Sequence, residues 1–238
     1  MFSIVAACTD KDTESVVVVD VGHHFVEWEV DTMLESDMAH AYLTESNKGM
    51  TATDTQKNTV YYVAKQMKEP CSPEEYALAL ASHFVKEYPL VSKAKILVKV
   101  APWQRFTSNY NGGGHNHGYV GGPSEIRTAY VTVCKQGNVT VTAGVQGLKV
   151  LKTTQSGYSG FLHDKYTVLP DTNERILATS MKCTWKYCSK NLPFDYDAAF
   201  EQVKAICLST FFGPAQSGVY SPSVQYTLYQ MGKDVIQR

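Results

Sequence analysis

Histidine and cysteine are the residue types in this chain best suited to hold a metal or carry protons, and their spacing decides whether they do. His115-Asn116-His117 has a spacing found at zinc sites, and His23 and His24 are adjacent. A zinc site needs further ligands at a supporting spacing, and the six cysteines do not supply them. Cys8, Cys71, Cys134, Cys183, Cys188 and Cys207 are scattered, with no Cys-x-x-Cys pair. The expectation is no metal, and reduced thiols rather than a disulfide framework.

Composition narrows the partners. The 238 residues carry a formal net charge of -1, so no basic excess exists to neutralise a phosphate backbone, and nucleic acid is not expected as a partner. No apolar run is long enough to cross a bilayer, so no membrane is expected either. Met1 to Cys8 is apolar but short and has no basic region before it, and does not read as a signal peptide. Asn138-Val139-Thr140 fits a glycosylation sequon, but Gly137-Asn138 reads better as a hairpin turn. With 44% hydrophobic residues the chain can bury a sizeable core.

The elements follow from periodicity. From His24 to Thr32, Val26, Trp28 and Val30 alternate with Glu27, Glu29 and Asp31, the pattern of a half-buried strand. Val16 to Val19 is β-branched and reads as its hairpin partner across Gly22. A helix is expected from about Thr53, with Val60, Val63, Ala64 and Met67 at helical spacing. Ser72-Pro73-Glu74-Glu75 predicts a second helix through a capping box with proline at its first position; Tyr76, Leu80, His83 and Phe84 share one face, and Pro89 ends it. Strands are expected over Lys95–Trp103 and Arg127–Cys134, separated by a glycine-rich loop at 109–114. The order then begins again: strands over Val139–Val150 and Arg175–Trp185, and a helix from Asp195 or Asp197 that buries Phe200, Val203, Ile206, Cys207 and Phe211 and stops at Gly213-Pro214. A last helix is expected with Ser221 as cap and Pro222 at its first position, and with Val224, Leu228, Met231 and Val235 on one face. The chain therefore reads as two α+β units, 1–135 and 136–238, the second having a strand pair and a helix pair without a closing strand pair.

Three segments resemble urate oxidases. They are Thr51-Ala52-Thr53-Asp54-Thr55-Gln56-Lys57-Asn58-Thr59-Val60, the run from Leu148 to Phe161, and Tyr220-Ser221-Pro222-Ser223-Val224-Gln225. Phe161 to Leu169 and the strand from Arg175 to Thr179 are similar as well, and the resemblance keeps order and spacing from about Val26 onward. It implies a tandem tunnelling fold: each unit an antiparallel sheet with paired helices on one face, assembled into a homotetramer with sites at subunit interfaces. It implies urate and O2 as partners, no cofactor, and a peroxisomal location, with a cytoplasmic one left open because this chain shows no targeting tail.

The resemblance also assigns roles. Arg175 and Gln225 become a purine clamp, the guanidinium giving two parallel hydrogen bonds and the amide giving and accepting one each. Val224 joins them as a substrate-binding residue. Tyr158 stands at the stacking position, where the family usually has phenylalanine. Thr53 is the catalytic threonine beside a helix start that favours negative charge, and the backbone of neighbouring Asp54 helps hold substrate. A threonine hydroxyl needs a proton partner, and the family's Gly-Lys-Asp segment has its nearest counterpart in Asp10-Lys11-Asp12, which nominates Lys11 as the second catalytic residue. His115 and His117 are expected in a strand-entry loop, and His163 in a structural role. The family's Asn-x-His segment, whose histidine closes the proton relay, has no counterpart before Arg238. Two readings result: an active urate oxidase, and a catalytically inactive purine-binding or assembly subunit; the absent closing strand pair separately leads to the expectation that the chain folds its first unit, assembles poorly and has little activity. Loss of urate absorbance with peroxide production separates them.

Overall fold

The computed structural model describes residues 2–8, 24–67, 70–107 and 113–237. In chain order the elements are β1 (Phe2–Cys8), β2 (His24–Ser36), α1 (Ala39–Leu43), α2 (Thr53–Gln66), α3 (Pro73–Glu87), β3 (Val91–Val100), β4 (Trp103–Thr107), β5 (Gly114–Gly121), β6 (Ile126–Cys134), β7 (Val139–Lys152), β8 (Leu177–Lys186), α4 (Tyr196–Phe212) and α5 (Val224–Gln237). Among the described residues the strands form a six-stranded sheet of order β1-β2-β3-β6-β7-β8 and a two-stranded β4-β5 hairpin. Packing divides the chain into two compact units: Met1–Gln146 with Cys183–Tyr196, and Gly147–Lys182 with Asp197–Arg238.

In the first unit β1, β2, β3 and β6 pair antiparallel in succession, and α2 and α3 supply the helices. Alternation puts Trp28 and Val30 of β2, Ala94, Ile96 and Val98 of β3, and Ala129, Val131 and Val133 of β6 into one core with Val60, Val63, Tyr76, Leu80 and Phe84 of the helices. The expected capping box is present: the Glu75 N–H donates to Ser72 Oγ and the Ser72 N–H donates to Glu75 Oε2 at 2.8 Å. Glu74, fully buried in the first turn of α3, takes a hydrogen bond from Arg127 of β6 at 2.6 Å, an ion pair that pins helix to sheet. Such a pair fixes geometry more than it adds stability, and losing one partner strands the other charge.

Three expectations change in this unit. The strand that pairs with β2 is Phe2–Cys8, and the expected strand at Val16–Val19 lies outside the described residues. The expected strand through Trp103 stops at Val100, because Pro102 has no N–H for the ladder; Trp103 instead opens β4. His115 and His117 sit on β5 rather than in an entry loop, with ring centroids 4.5 Å apart. Among the described residues, no three His, Cys, Asp or Glu side chains are grouped to hold a metal ion.

The second unit buries Leu148 and Val150 of β7, Leu177 of β8, Phe200, Ile206, Cys207 and Phe211 of α4, and Met231 of α5. Gly213 ends α4 at φ +71, a left-handed turn that glycine adopts without a Cβ clash, and its N–H donates to Ser209 O at 2.8 Å. Helix α5 departs from expectation in its rotation. Thr227 and Met231 are buried, whereas Val224 is 49% and Leu228 65% exposed. Two polar anchors set that rotation: Thr227 Oγ1 donates to Ser221 Oγ at 2.8 Å, and Thr210 Oγ1 donates to Asp234 at 2.6 Å. No helix among the described residues is long and apolar enough to cross a membrane.

Candidate functional site

After β7 the chain turns through Gln155, a non-glycine residue at φ +61, and enters a short extended stretch at Ser156. Ser156 is fully buried and bonded on both sides. On one side its carbonyl accepts from the Arg175 N–H at 2.9 Å, and its hydroxyl donates to Arg175 O at 2.7 Å. On the other it bridges to Ser221: the Gly157 N–H donates to Ser221 O at 3.0 Å, and the Ser221 N–H to Gln155 O at 2.9 Å. Next along the chain, Tyr158 exchanges two backbone hydrogen bonds with Thr172, at 2.7 and 2.9 Å. Segments 155–158, 172–175 and 220–221 are thus held side by side within the second unit.

This arrangement sets Arg175 against Tyr158, with the guanidinium carbon 5.4 Å from the ring centroid. Phe161 stacks on Tyr158 at 4.6 Å and 10°, and His163 stacks on Phe161 at 4.6 Å and 19°. Nε of Arg175 is buried and has no hydrogen-bond partner among the described residues, which leaves a donor of a charged fork uncommitted. Buried donors are rarely left so without a ligand or water to take them.

Arg175 lies two residues ahead of β8 rather than inside it, because its backbone is committed to Ser156. Ser221 does not cap α5. Ser223 does, its hydroxyl accepting from the Tyr226 N–H at 3.1 Å, while Ser221 is buried and takes hydrogen bonds from Lys152 and Thr227. Val224 and Gln225 are the first two residues of α5, both exposed, three and four residues after the Ser221 bridge.

Thr53 and Asp54 belong to the first unit. Thr53 is the first residue of α2 rather than its cap; Ala52 takes the cap position and offers no side-chain hydrogen bond. Both residues are exposed, and Asp54 accepts from Asn58 Nδ2 at 3.0 Å. The first-turn N–H groups beside them have no intrahelical acceptor, the condition under which a helix start attracts an anion. Lys11 lies outside the described residues.

Ser156, Gly157 and Phe161 are the structural partners that residue types alone did not single out. What signal existed was steric: a Cβ at Gly157 would stand 2.1 Å from the Tyr220 hydroxyl and 2.8 Å from Thr172 O, so only glycine admits three segments at that spacing.

Comparison with known proteins identifies the family. The uricase family model matches residues 13–132 and 141–238. Uricase-2 isozyme 1 of Glycine max is 45% identical over 224 residues, spanning 91% of this chain and 72% of that protein. The uricase of Arabidopsis thaliana is 43% identical over 225 residues, spanning 92% of this chain and 72% of that protein. The solved uricase of Arthrobacter globiformis superposes with a TM-score of 0.83 at 31% identity, over 99% of this chain and 73% of that one. On these matches the chain belongs to the uricase family.

Proposed function

We propose that this chain is a urate oxidase whose clamp consists of Arg175, Tyr158, Val224 and Gln225. The observation that supports the site is Ser156, whose hydrogen bonds to the Arg175 backbone on one side and pairing to Ser221 on the other hold together the backbone segments that carry Arg175, Tyr158 and the approach to α5. Urate is flat and anionic. Tyr158 offers it a ring to stack on, Arg175 an uncommitted charged donor, and Gln225 an amide that both gives and accepts.

Oxidation removes two electrons and two protons from urate and delivers them to O2 as hydrogen peroxide, while water supplies the hydroxyl that appears in 5-hydroxyisourate. Thr53, with Lys11 as its proton partner, moves the proton at the substrate, and the Asp54 backbone at the start of α2 helps hold the anion. No metal or organic cofactor enters this scheme. The family resemblance supports a homotetramer with sites at subunit interfaces and a peroxisomal location.

The activity test is loss of urate absorbance with stoichiometric peroxide. The site test is binding of 8-azaxanthine, a non-reactive urate analogue, to Arg175→Ala. Losing a charge-assisted pair costs about 1.5–3 kcal/mol, roughly ten- to hundredfold in affinity. A folded Arg175→Ala with unchanged affinity removes Arg175 from the clamp.

A further inference from the structure

Lys152 closes β7 with its side chain buried. Its ammonium donates to Phe211 O at 3.2 Å, to Val219 O at 2.8 Å and to Ser221 Oγ at 2.7 Å, which uses all three of its N–H groups. No carboxylate pairs with it among the described residues, and burial holds its pKa below the ordinary lysine value. The charge is tolerated because Phe211 O belongs to the last turn of α4, where the helix dipole favours a cation, and because the nitrogen stands 5.1 Å from the Phe211 ring centroid. A buried cation without a counter-ion is a costly way to fill a core position, and an apolar side chain would fill it at less cost. What an apolar side chain could not do is fix three acceptors, one at the end of α4 and two on the 219–221 segment, at set distances.

Those segments lead into the site. Ser221 is bonded to Lys152 through its hydroxyl and to the Gln155–Gly157 stretch through its backbone, and Ser156 of that stretch holds Arg175 from both of its backbone polar groups. The route from Nζ to Arg175 is therefore Ser221, the 155–157 backbone, then Ser156. On the α5 side Ser221 Oγ also receives Thr227, one turn into the helix that begins with Val224 and Gln225. We propose that Lys152 is a positioning residue for the urate clamp, its ammonium setting the spacing between Arg175 and Gln225 by fixing Ser221. This rests on the reading of Arg175 as the clamp residue proposed above.

The test is a double-mutant cycle on the full chain, read by calorimetric titration with 8-azaxanthine. Lys152→Met keeps length and removes the donors, and is expected to weaken binding about tenfold, since small misplacements at a clamp carry such penalties. If Lys152 acts through Arg175, Lys152→Met in the Arg175→Ala background costs no more than about twofold further; a merely structural role makes the two losses additive. Additive losses, or a folded Lys152→Met that binds within about twofold of the parent, overturn the proposal. If Lys152→Met does not fold, Ser221→Ala, which keeps the ammonium and deletes the link, decides by the same two criteria. Arg175→Ala alone separates the layers: unchanged binding there refutes the clamp itself, whereas loss there with no loss in Lys152→Met refutes only the role of Lys152.

Discussion

Replacing Gly157 with alanine probes how closely the site segments must approach. The backbone at 157 does not require glycine by conformation; the space does. A Cβ there would lie 2.1 Å from Tyr220 Oη, 2.8 Å from Thr172 O and 2.9 Å from Asn173 Cα. The first neighbour is the end of a side chain that can swing away, at the expense of its hydrogen bond to Asn173 O. The other two are backbone atoms and cannot yield without moving the 172–175 segment, which carries Arg175. Overpacking of this kind costs about 1–3 kcal/mol. For a chain of this size each kcal/mol lowers the melting temperature by about 2–4 °C, so Gly157→Ala is expected to melt roughly 2–12 °C lower. Gly157 lies between Ser156 and Tyr158, so the shift that relieves the clash also moves both partners of Arg175, and 8-azaxanthine affinity is expected to fall severalfold. Tyr220→Phe removes the closest atom. Combined with Gly157→Ala it should restore part of the lost stability and leave the share owed to Thr172 and Asn173. Thermal melts and analogue titrations on the single and double variants measure this. A Gly157→Ala chain that melts within about 1 °C of the parent and binds equally well would refute the claim that three segments meet at this residue.

Two further outcomes follow from single sites. Tyr158→Phe keeps the ring and its stack on Phe161, so analogue affinity should stay within about twofold, whereas Tyr158→Ala should lose about 1–3 kcal/mol of base stacking; equal binding by the alanine variant would exclude this ring as the stacking platform. Glu35 on β2 accepts from Lys93 at 2.7 Å and from Lys95, and these partners hold its carboxyl below the ordinary value of 4.5. Because folding depresses this pKa, the unfolded chain binds more protons between the two values. The stabilisation is present above pH 4.5 and is lost as pH falls through the folded value. Glu35→Gln should therefore flatten the acid limb of a urea-midpoint profile slightly, and high salt should erase the difference because the pair is solvent-exposed. An unchanged acid limb at low salt would show that the pair contributes nothing.

Elements with strong local signals were legible from the residues. The capping box at Ser72 is a local chemical pattern, and the helix begins where it predicts. The alternation in β2 and the Gly213-Pro214 stop are local too. The β4-β5 hairpin was missed because its half-exposed residues follow no clean period and its first strand begins right after Pro102. The rotation of α5 was missed for a different reason. Val224, Leu228, Met231 and Val235 share a face, and so do Thr227, Met231 and Asp234, and hydrophobicity alone prefers the first. The choice was made by the polar pairs Thr227–Ser221 and Thr210–Asp234, whose partners are distant in sequence or outside the helix.

The same distinction explains why the proposed clamp could be named from a family likeness but not assembled from it. Arg175, Tyr158 and Gln225 stand out because a guanidinium, a ring and an amide are each chemically suited to a purine. Their relative positions are set largely by backbone hydrogen bonds: Arg175 N–H to Ser156 O, Tyr158 with Thr172, Gly157 N–H to Ser221 O. Every residue except proline carries those donors and acceptors, so residue type carries no trace of which ones meet. Two side-chain groups break that anonymity. The Ser156 hydroxyl reaches Arg175 O, and Lys152 reaches Ser221, and each is buried and polar where an apolar residue would serve a core as well. A buried polar side chain that touches no substrate, yet sits on the hydrogen-bonded route between residues that would, is a sign of positioning, and in this unit it marks Ser156 and Lys152 as the places where substitution should disturb binding without removing a clamp residue.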